Sequence, residues 1–135
     1  MPIQEFDFST GKVLDPQRRQ GILCVADDAD ESAIIDALRA KSFKLAGKTT
    51  DIREALALVK KHKVGVLFLD ADMESYNALD IMATVRKAFS EIHVVLLSGN
   101  ATKEVVAEAL SSGAAGFVLK PVATEAVANI LARIK

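Results

Sequence analysis

Polar residues that could perform phosphoryl chemistry follow four of the short apolar runs in this sequence. They are Asp27, Asp28, Asp70, Asp72, Ser98 and Lys120. Carboxylates held close together need a cation or protons to neutralise them, and Mg²⁺ prefers oxygen ligands while leaving positions open for phosphoryl oxygens. A carboxylate can also attack phosphorus to form an acyl phosphate, whose added charge an ammonium and a hydroxyl can stabilise. These residue types indicate Mg²⁺-dependent phosphoryl transfer if the fold brings them together.

Each of these residues also has a purely structural explanation. Asp27 or Asp28 could cap the helix that follows, which is the commoner role of a single acid in a loop. Asp70 and Ser98 could be turn residues, and a lone lysine is usually a solvated charge. The occurrence of polar residues at four strand ends together favours a common site.

The elements that would position these residues are short apolar strands alternating with amphipathic helices. The expected strands are residues 22–26, 43–47, 64–69, 92–97 and 115–119. Continuous apolar runs are typical of strands covered on both faces, and therefore of a parallel sheet between helices. Such alternation predicts an α/β fold, a doubly wound three-layer sandwich. Ligands of these folds bind at the carboxyl ends of the strands, where the polar residues lie.

Length and charge exclude several other classes of protein. A chain of 135 residues predicts one domain, and 17 Lys and Arg against 18 Asp and Glu give a net charge of -1, which disfavours a nucleic-acid surface. Residues 1–20 contain no continuous apolar segment and are expected to be an arm of unknown role, neither a signal peptide nor a membrane anchor. The single cysteine, Cys24, cannot form an internal disulfide, so a cytoplasmic location is expected.

Four motifs in residues 21–135 resemble those of a response-regulator receiver domain: VADDAD, FLDADM, LLSG and FVLKP. The resemblance implies a flavodoxin-like (βα)5 sandwich with strand order 2-1-3-4-5. It also implies that Asp70 accepts the phosphoryl group. The Mg²⁺ ligands would be Asp70, Asp27 and the backbone carbonyl of Asp72, with Asp28 as the alternative to Asp27.

The remaining site residues follow from the same resemblance. Ser98 would donate a hydrogen bond to the phosphoryl group, and Lys120 would form an ion pair with it. Ser98 and Phe117 would be the switch residues that respond to phosphorylation. The Lys-Pro peptide of the family is usually cis, so Lys120–Pro121 is expected to be cis.

Several positions depart from the family pattern. Ala26 stands where the first acid of the usual pair is found, leaving Asp27 in the second place. Glu74 and Ala78 replace the usual proline and glycine of the loop after the acceptor, which implies a different loop path. Phe117 lacks the phenolic hydroxyl of the more usual tyrosine, so a switch there would work through packing.

The implied function is a phosphorylation-dependent switch. A histidine kinase or a phosphotransfer protein would donate the phosphoryl group, and a downstream signalling protein or a second copy of the chain would bind the changed surface. The chain ends after its last predicted helix, so a separate partner is expected to provide the output. Enzymatic activity beyond self-phosphorylation and self-dephosphorylation is not expected, nor is binding to nucleic acid or membrane.

Two alternatives remain open. FLDADM also resembles the nucleophile motif of haloacid-dehalogenase-type phosphatases, in which Asp70 would be the nucleophile and Asp72 the general acid. The order of the acids along the chain argues against this alternative. The other is a receiver-like interaction module that is never phosphorylated, which the altered loop would favour and the joint presence of Asp70, Ser98 and Lys120 disfavours.

Overall fold

The computed structural model describes residues 18–100 and 102–134 and, before them, a pair of short antiparallel strands, β1 (Phe6–Asp7) and β2 (Lys12–Val13). The predicted arm, residues 1–20, therefore lies mostly outside the described residues. Its last residue, Gln20, begins the first strand of the main sheet.

The main sheet has five parallel strands, as the sequence predicts. They are β3 (Gln20–Cys24), β4 (Lys44–Thr49), β5 (Val66–Asp70), β6 (His93–Ser98) and β7 (Gly116–Leu119). The order across the sheet is β4-β3-β5-β6-β7, which confirms the predicted order. All residues of the central strand β5 are buried, because helices cover both of its faces.

Five helices connect these strands: α1 (Asp28–Ala40), α2 (Ile52–Lys61), α3 (Ala78–Ala88), α4 (Lys103–Ser111) and α5 (Thr124–Arg133). Most begin at a side-chain cap, as with Asp51 before α2, Asn77 before α3 and Thr102 before α4. No helix in the described part of the chain has both the length and the apolar character needed to cross a bilayer.

Two apolar cores hold the layers together. Leu67 and Leu69 of β5 contact the core formed with α2, α3 and α4, whereas Phe68 contacts the core formed with α1 and α5. This alternation is the two-residue period of a strand. Full burial of each such side chain contributes about 1.5–3 kcal/mol. The cores fix the strands, and therefore fix which strand ends meet at the edge of the sheet.

In the turn between α1 and β4, Ser42 has a left-handed backbone with a φ of 60°, the one non-glycine residue with a positive φ among those described. Arg19 stabilises this turn because its guanidinium donates to the carbonyl oxygens of Lys41 and Ser42. The same guanidinium lies 4.5 Å from the centre of the Phe43 ring. The side chain thus compensates for a backbone conformation that favours glycine.

Replacing Ser42 with glycine is expected to raise the free energy of unfolding by about 1 kcal/mol, because glycine adopts a positive φ without steric cost. Ser112 is the matched control, since it also ends a helix but has φ −80° and ψ −3°. Ser112→Gly is expected to lower stability by about 0.5 kcal/mol. Urea denaturation would measure the free energy of unfolding of both variants. A lower stability of Ser42→Gly than of the wild type would contradict the interpretation that the backbone of Ser42 is strained.

Candidate functional site

Asp70 is the last residue of β5, and its carboxylate is almost wholly buried, with 1% of the residue exposed. One oxygen, Oδ1, accepts hydrogen bonds from Lys120 Nζ at 2.6 Å and from the Asp72 N–H at 3.0 Å. The other oxygen, Oδ2, accepts none from the described residues. No buried side-chain oxygen or nitrogen in that part of the chain lacks a partner, so Oδ2 keeps some contact with solvent. The carboxylate therefore has one oxygen held by two donors and one oxygen that accepts no hydrogen bond from the described residues.

Lys120 follows β7 and reaches across the sheet edge to two carboxylates. Its Nζ lies 2.6 Å from Asp70 Oδ1 and 3.3 Å from Asp72 Oδ2. Its backbone N–H donates to the Ser98 carbonyl at 2.9 Å, which holds the chain beside β6. The peptide between Lys120 and Pro121 is cis, as predicted. Partial burial disfavours the ammonium charge, but Asp70 and Asp72 outweigh this effect and raise the pKa of Lys120.

The Asp72 carboxylate is partly exposed and contacts the end of β6 and the residue that follows it. Its Oδ1 accepts from Ser98 Oγ at 2.7 Å, and its Oδ2 accepts from the Gly99 N–H at 2.7 Å. Burial opposes ionisation of this group, but the hydrogen bonds from Ser98 and Gly99 and the charge of Lys120 prevail and lower the pKa of Asp72. Asp72 therefore bridges the ends of β5, β6 and β7.

Asp27 and Asp28 lie at the end of β3, and both are exposed. Asp27 is the N-cap of α1, with Oδ1 accepting from the N–H groups of Ala29 at 2.8 Å and Asp30 at 3.2 Å. Asp28 is the first residue of that helix. The capping role considered from the sequence is thus present, and it leaves Asp27 Oδ2 without a hydrogen bond to the described residues.

The acids fit a Mg²⁺ site in the kind of atom they provide, because Asp70 and Asp27 each keep one oxygen that the described residues do not bind. Within residues 18–100 and 102–134, no group of three or more His, Cys, Asp or Glu side chains is placed to hold a metal ion. The site expected from the sequence has two carboxylates and a backbone carbonyl, so it does not require such a group.

Two residues that the sequence did not single out support the site. Tyr76 is half-buried, and its hydroxyl donates to the Asp70 carbonyl at 2.7 Å. Burial, together with the nearby Cys24 and Asp70, raises the pKa of the Tyr76 phenol, so it remains a donor. The loop that lacks the usual proline and glycine is thereby tied to the end of β5. The position of the chain's single tyrosine in this loop is the available sequence signal.

Asp30 is the second such residue. It is buried in α1, and its Oδ1 accepts from the Val122 N–H at 2.9 Å. Val122 is two residues beyond Lys120, so this bond joins α1 to the loop that carries the lysine.

Replacing Asp30 with alanine is expected to lower the free energy of unfolding by about 1–3 kcal/mol, because the Val122 N–H loses its acceptor. Asp30→Asn is the matched control, since the amide oxygen can still accept this bond, and it is expected to cost less. Thermal denaturation would measure both variants, and equal stability of Asp30→Ala and the wild type would contradict the role of this bond.

Phe117 lies on β7, is half-buried, and lines a cavity of about 630 Å³. Ser98 and Asp72 line the same cavity, and Val105 and Ala109 of α4 form another part of its wall. A rotation of the Phe117 ring would therefore change the space between the site and α4.

The structure thus joins Asp70, Asp72, Ser98 and Lys120 by direct contacts at one edge of the sheet. Asp27 and Asp28 lie at the end of the adjacent strand β3. Phe117 borders this group through the cavity.

Comparison with known proteins matches residues 22–132 to the response regulator receiver domain. The chemotaxis protein CheY of Thermotoga maritima is 25% identical over 112 residues, covering 82% of this chain and 93% of that protein. The transcriptional regulatory protein CitT of Bacillus subtilis is 30% identical over 93 residues, covering 69% of this chain but 41% of CitT. The chain therefore spans less than half of that relative.

Among solved structures, chemotaxis protein CheY4 of Vibrio cholerae has a TM-score of 0.73 and 20% identity, covering 86% of this chain and 98% of that one. At this identity the likeness concerns the fold, and it agrees with the flavodoxin-like strand order.

Proposed function

Because this chain belongs to the response regulator receiver domain family, we propose that it is a phosphorylation-dependent signalling switch that accepts a phosphoryl group on Asp70. In general, receiver domains are signalling modules and not enzymes. The observation that supports the proposal is the state of the Asp70 carboxylate. Lys120 and the Asp72 N–H hold its Oδ1, while Oδ2 accepts no hydrogen bond from the described residues and would be the oxygen that attacks phosphorus.

The transfer step moves one phosphoryl group from a donor to a carboxylate oxygen of Asp70. With a phosphohistidine donor, a bond forms between this oxygen and phosphorus as the phosphorus–nitrogen bond breaks, and the imidazole nitrogen keeps the electron pair. The phosphoryl oxygens then need hydrogen-bond donors. Ser98 Oγ, the Gly99 N–H and Lys120 Nζ are of the required types, and all three contact the Asp72 carboxylate. Lys120 Nζ also lies 2.6 Å from the acceptor oxygen Asp70 Oδ1.

Mg²⁺ is the proposed cofactor, held by Asp70, Asp27 and the backbone carbonyl of Asp72, with Asp28 as the alternative to Asp27. When bound, the ion neutralises charge on the phosphoryl oxygens and the carboxylates. Residue Asp27 caps α1 through Oδ1 and would bind through Oδ2, so both roles are compatible.

We propose that phosphorylation changes the packing of side chains beside α4, and that a partner protein detects this change. A hydroxyl of Ser98 turned towards the phosphoryl group would alter the cavity that it shares with Phe117 and α4. We propose that a histidine kinase or phosphotransfer protein is the donor, and that a downstream protein or a second copy of the chain binds the altered surface.

The free, buried Cys24 supports a reducing, cytoplasmic location.

Incubation with acetyl phosphate and Mg²⁺, followed by intact mass spectrometry, tests this function. The expected result is the mass of one added phosphoryl group, and no added mass when EDTA is present during the incubation. An unchanged mass in Mg²⁺ would overturn the proposal. Hydrolysis of an aryl phosphate over many turnovers, abolished by Asp72→Asn, would favour the phosphatase alternative instead.

A further inference from the structure

Two hydrogen-bond donors from the end of β6 and the ammonium group of Lys120 converge on the Asp72 carboxylate. Ser98 Oγ lies 2.7 Å from Oδ1, the Gly99 nitrogen lies 2.7 Å from Oδ2, and Lys120 Nζ lies 3.3 Å from Oδ2. From this geometry we infer that the Asp72 side chain occupies the phosphoryl position and must leave it before the phosphoryl group can be bound. The inference rests on the proposed function, which assigns these same donors to the phosphoryl oxygens.

The physical basis is competition between two anions for one set of donors. A carboxylate and a phosphoryl group both offer several oxygens with negative charge, and both favour short, charge-assisted hydrogen bonds. The contacts of Asp72 with Ser98 and Gly99 have that length. While Asp72 holds these donors, an incoming phosphoryl group meets a carboxylate in place of a hydroxyl and an N–H.

The backbone of Asp72 can remain in place while its side chain leaves. The Asp72 N–H donates to Asp70 Oδ1 at 3.0 Å, which anchors the main chain of this loop. The side chain is 40% exposed, so a rotation about its Cα–Cβ bond can move the carboxylate into water. Release therefore requires a rotamer change of one residue rather than movement of a helix.

The expected consequence is a lower apparent affinity of the site for phosphoryl groups. A site whose competent form is only partly populated binds with an affinity reduced by that fraction. Removing the Asp72 carboxylate is expected to speed phosphorylation by acetyl phosphate, and to tighten beryllofluoride binding, by about tenfold. The reaction itself is unchanged: a carboxylate oxygen of Asp70 bonds to phosphorus as the bond from phosphorus to acetate breaks, and acetate leaves with the electron pair.

The test compares Asp72→Ala, Asp72→Asn and Glu74→Ala with the wild type at saturating Mg²⁺. Glu74 is exposed on the same loop, so Glu74→Ala removes an equal charge without touching the three donors. Labelling by acetyl phosphate gives the rate, and fluorine NMR of beryllofluoride gives the affinity. We expect about tenfold gains in Asp72→Ala, smaller gains in Asp72→Asn, and a rate near that of the wild type in Glu74→Ala.

Labelling of Asp72→Ala at or below the wild-type rate would overturn the inference while leaving the proposed function intact. An equal gain in Glu74→Ala would also overturn it, since loop charge alone would then explain the effect. Absence of labelling in every protein, wild type included, would instead overturn the proposed function. The Gly99 amide proton gives an independent readout without phosphate: it should shift upfield in Asp72→Ala, and an unchanged shift would contradict the contact itself.

Discussion

Asp70→Asn is expected to abolish phosphorylation by acetyl phosphate, because a neutral amide does not provide the carboxylate oxygen that attacks phosphorus. The asparagine oxygen can still accept from Lys120 Nζ and the Asp72 N–H, which bind Asp70 Oδ1 in the wild type. The fold should therefore persist. Intact mass spectrometry measures labelling, and circular dichroism measures thermal unfolding of the same samples.

Asp36→Asn is the matched control, since Asp36 is an exposed acid on α1. It should label as the wild type does. Undiminished labelling of Asp70→Asn would contradict the assignment of Asp70 as the acceptor. Failure of Asp70→Asn to fold would indicate that the acid serves the structure of the β5–α3 turn.

Lys120→Met is expected to slow labelling by about a hundredfold, the order of effect found when one preorganised donor to a developing charge is removed. Methionine keeps the length of the side chain but removes the ammonium that lies 2.6 Å from Asp70 Oδ1. The same change leaves a carboxylate that is only 2% exposed without its cation, so stability should also fall. Labelling reactions quenched at successive times measure the rate of phosphorylation, and urea denaturation measures the free energy of unfolding.

Two further variants separate these effects. Lys87 is an exposed lysine in the last turn of α3, at the opposite end of that helix from the loop after Asp70, so Lys87→Met removes an equal charge away from the donors and should change neither quantity. The double variant Asp70→Asn with Lys120→Met removes the unpaired charge and should be more stable than Lys120→Met alone. Labelling of Lys120→Met at the wild-type rate would exclude the ammonium from the transfer step.

The ion pair also makes a prediction about alkaline pH. The folded state raises the pKa of Lys120 above its value in the unfolded chain. The resulting contribution to stability is fully present below the unfolded pKa of about 10.4 and is lost as pH rises through the folded pKa. Lys120→Met should lack this part of the alkaline decline.

The strands could be predicted because their apolar runs are continuous, and their order followed from a family resemblance. The boundaries were shifted by one or two residues, as at β3, which was expected at residues 22–26 and is found at Gln20–Cys24, and at β4, which was expected at residues 43–47 and is found at Lys44–Thr49. This edge strand has a neighbour on one side only, so Lys48 and Thr49 extend it with polar side chains that the apolar pattern excluded. Edge strands tolerate such residues because one edge faces water.

The candidate site could be predicted in composition but not in contacts. Asp70, Ser98 and Lys120 were identified because the carboxyl ends of parallel strands share one edge of the sheet. The sequence assigned Asp72 a backbone role, and its carboxylate contact with Ser98, 26 positions away, depends on a rotamer that no sequence pattern specifies. The bond between Asp30 and Val122 joins residues 92 positions apart, so it too required the structure.

Chemical localisation of the phosphoryl group tests the central claim most directly. Borohydride reduces an aspartyl phosphate to homoserine, so the protein labelled with acetyl phosphate and Mg²⁺ can be reduced, digested and sequenced by mass spectrometry. The account predicts homoserine at position 70 and aspartate at positions 27, 28 and 72. Homoserine at any of those three positions, or a reduced protein with aspartate still at position 70, would contradict it.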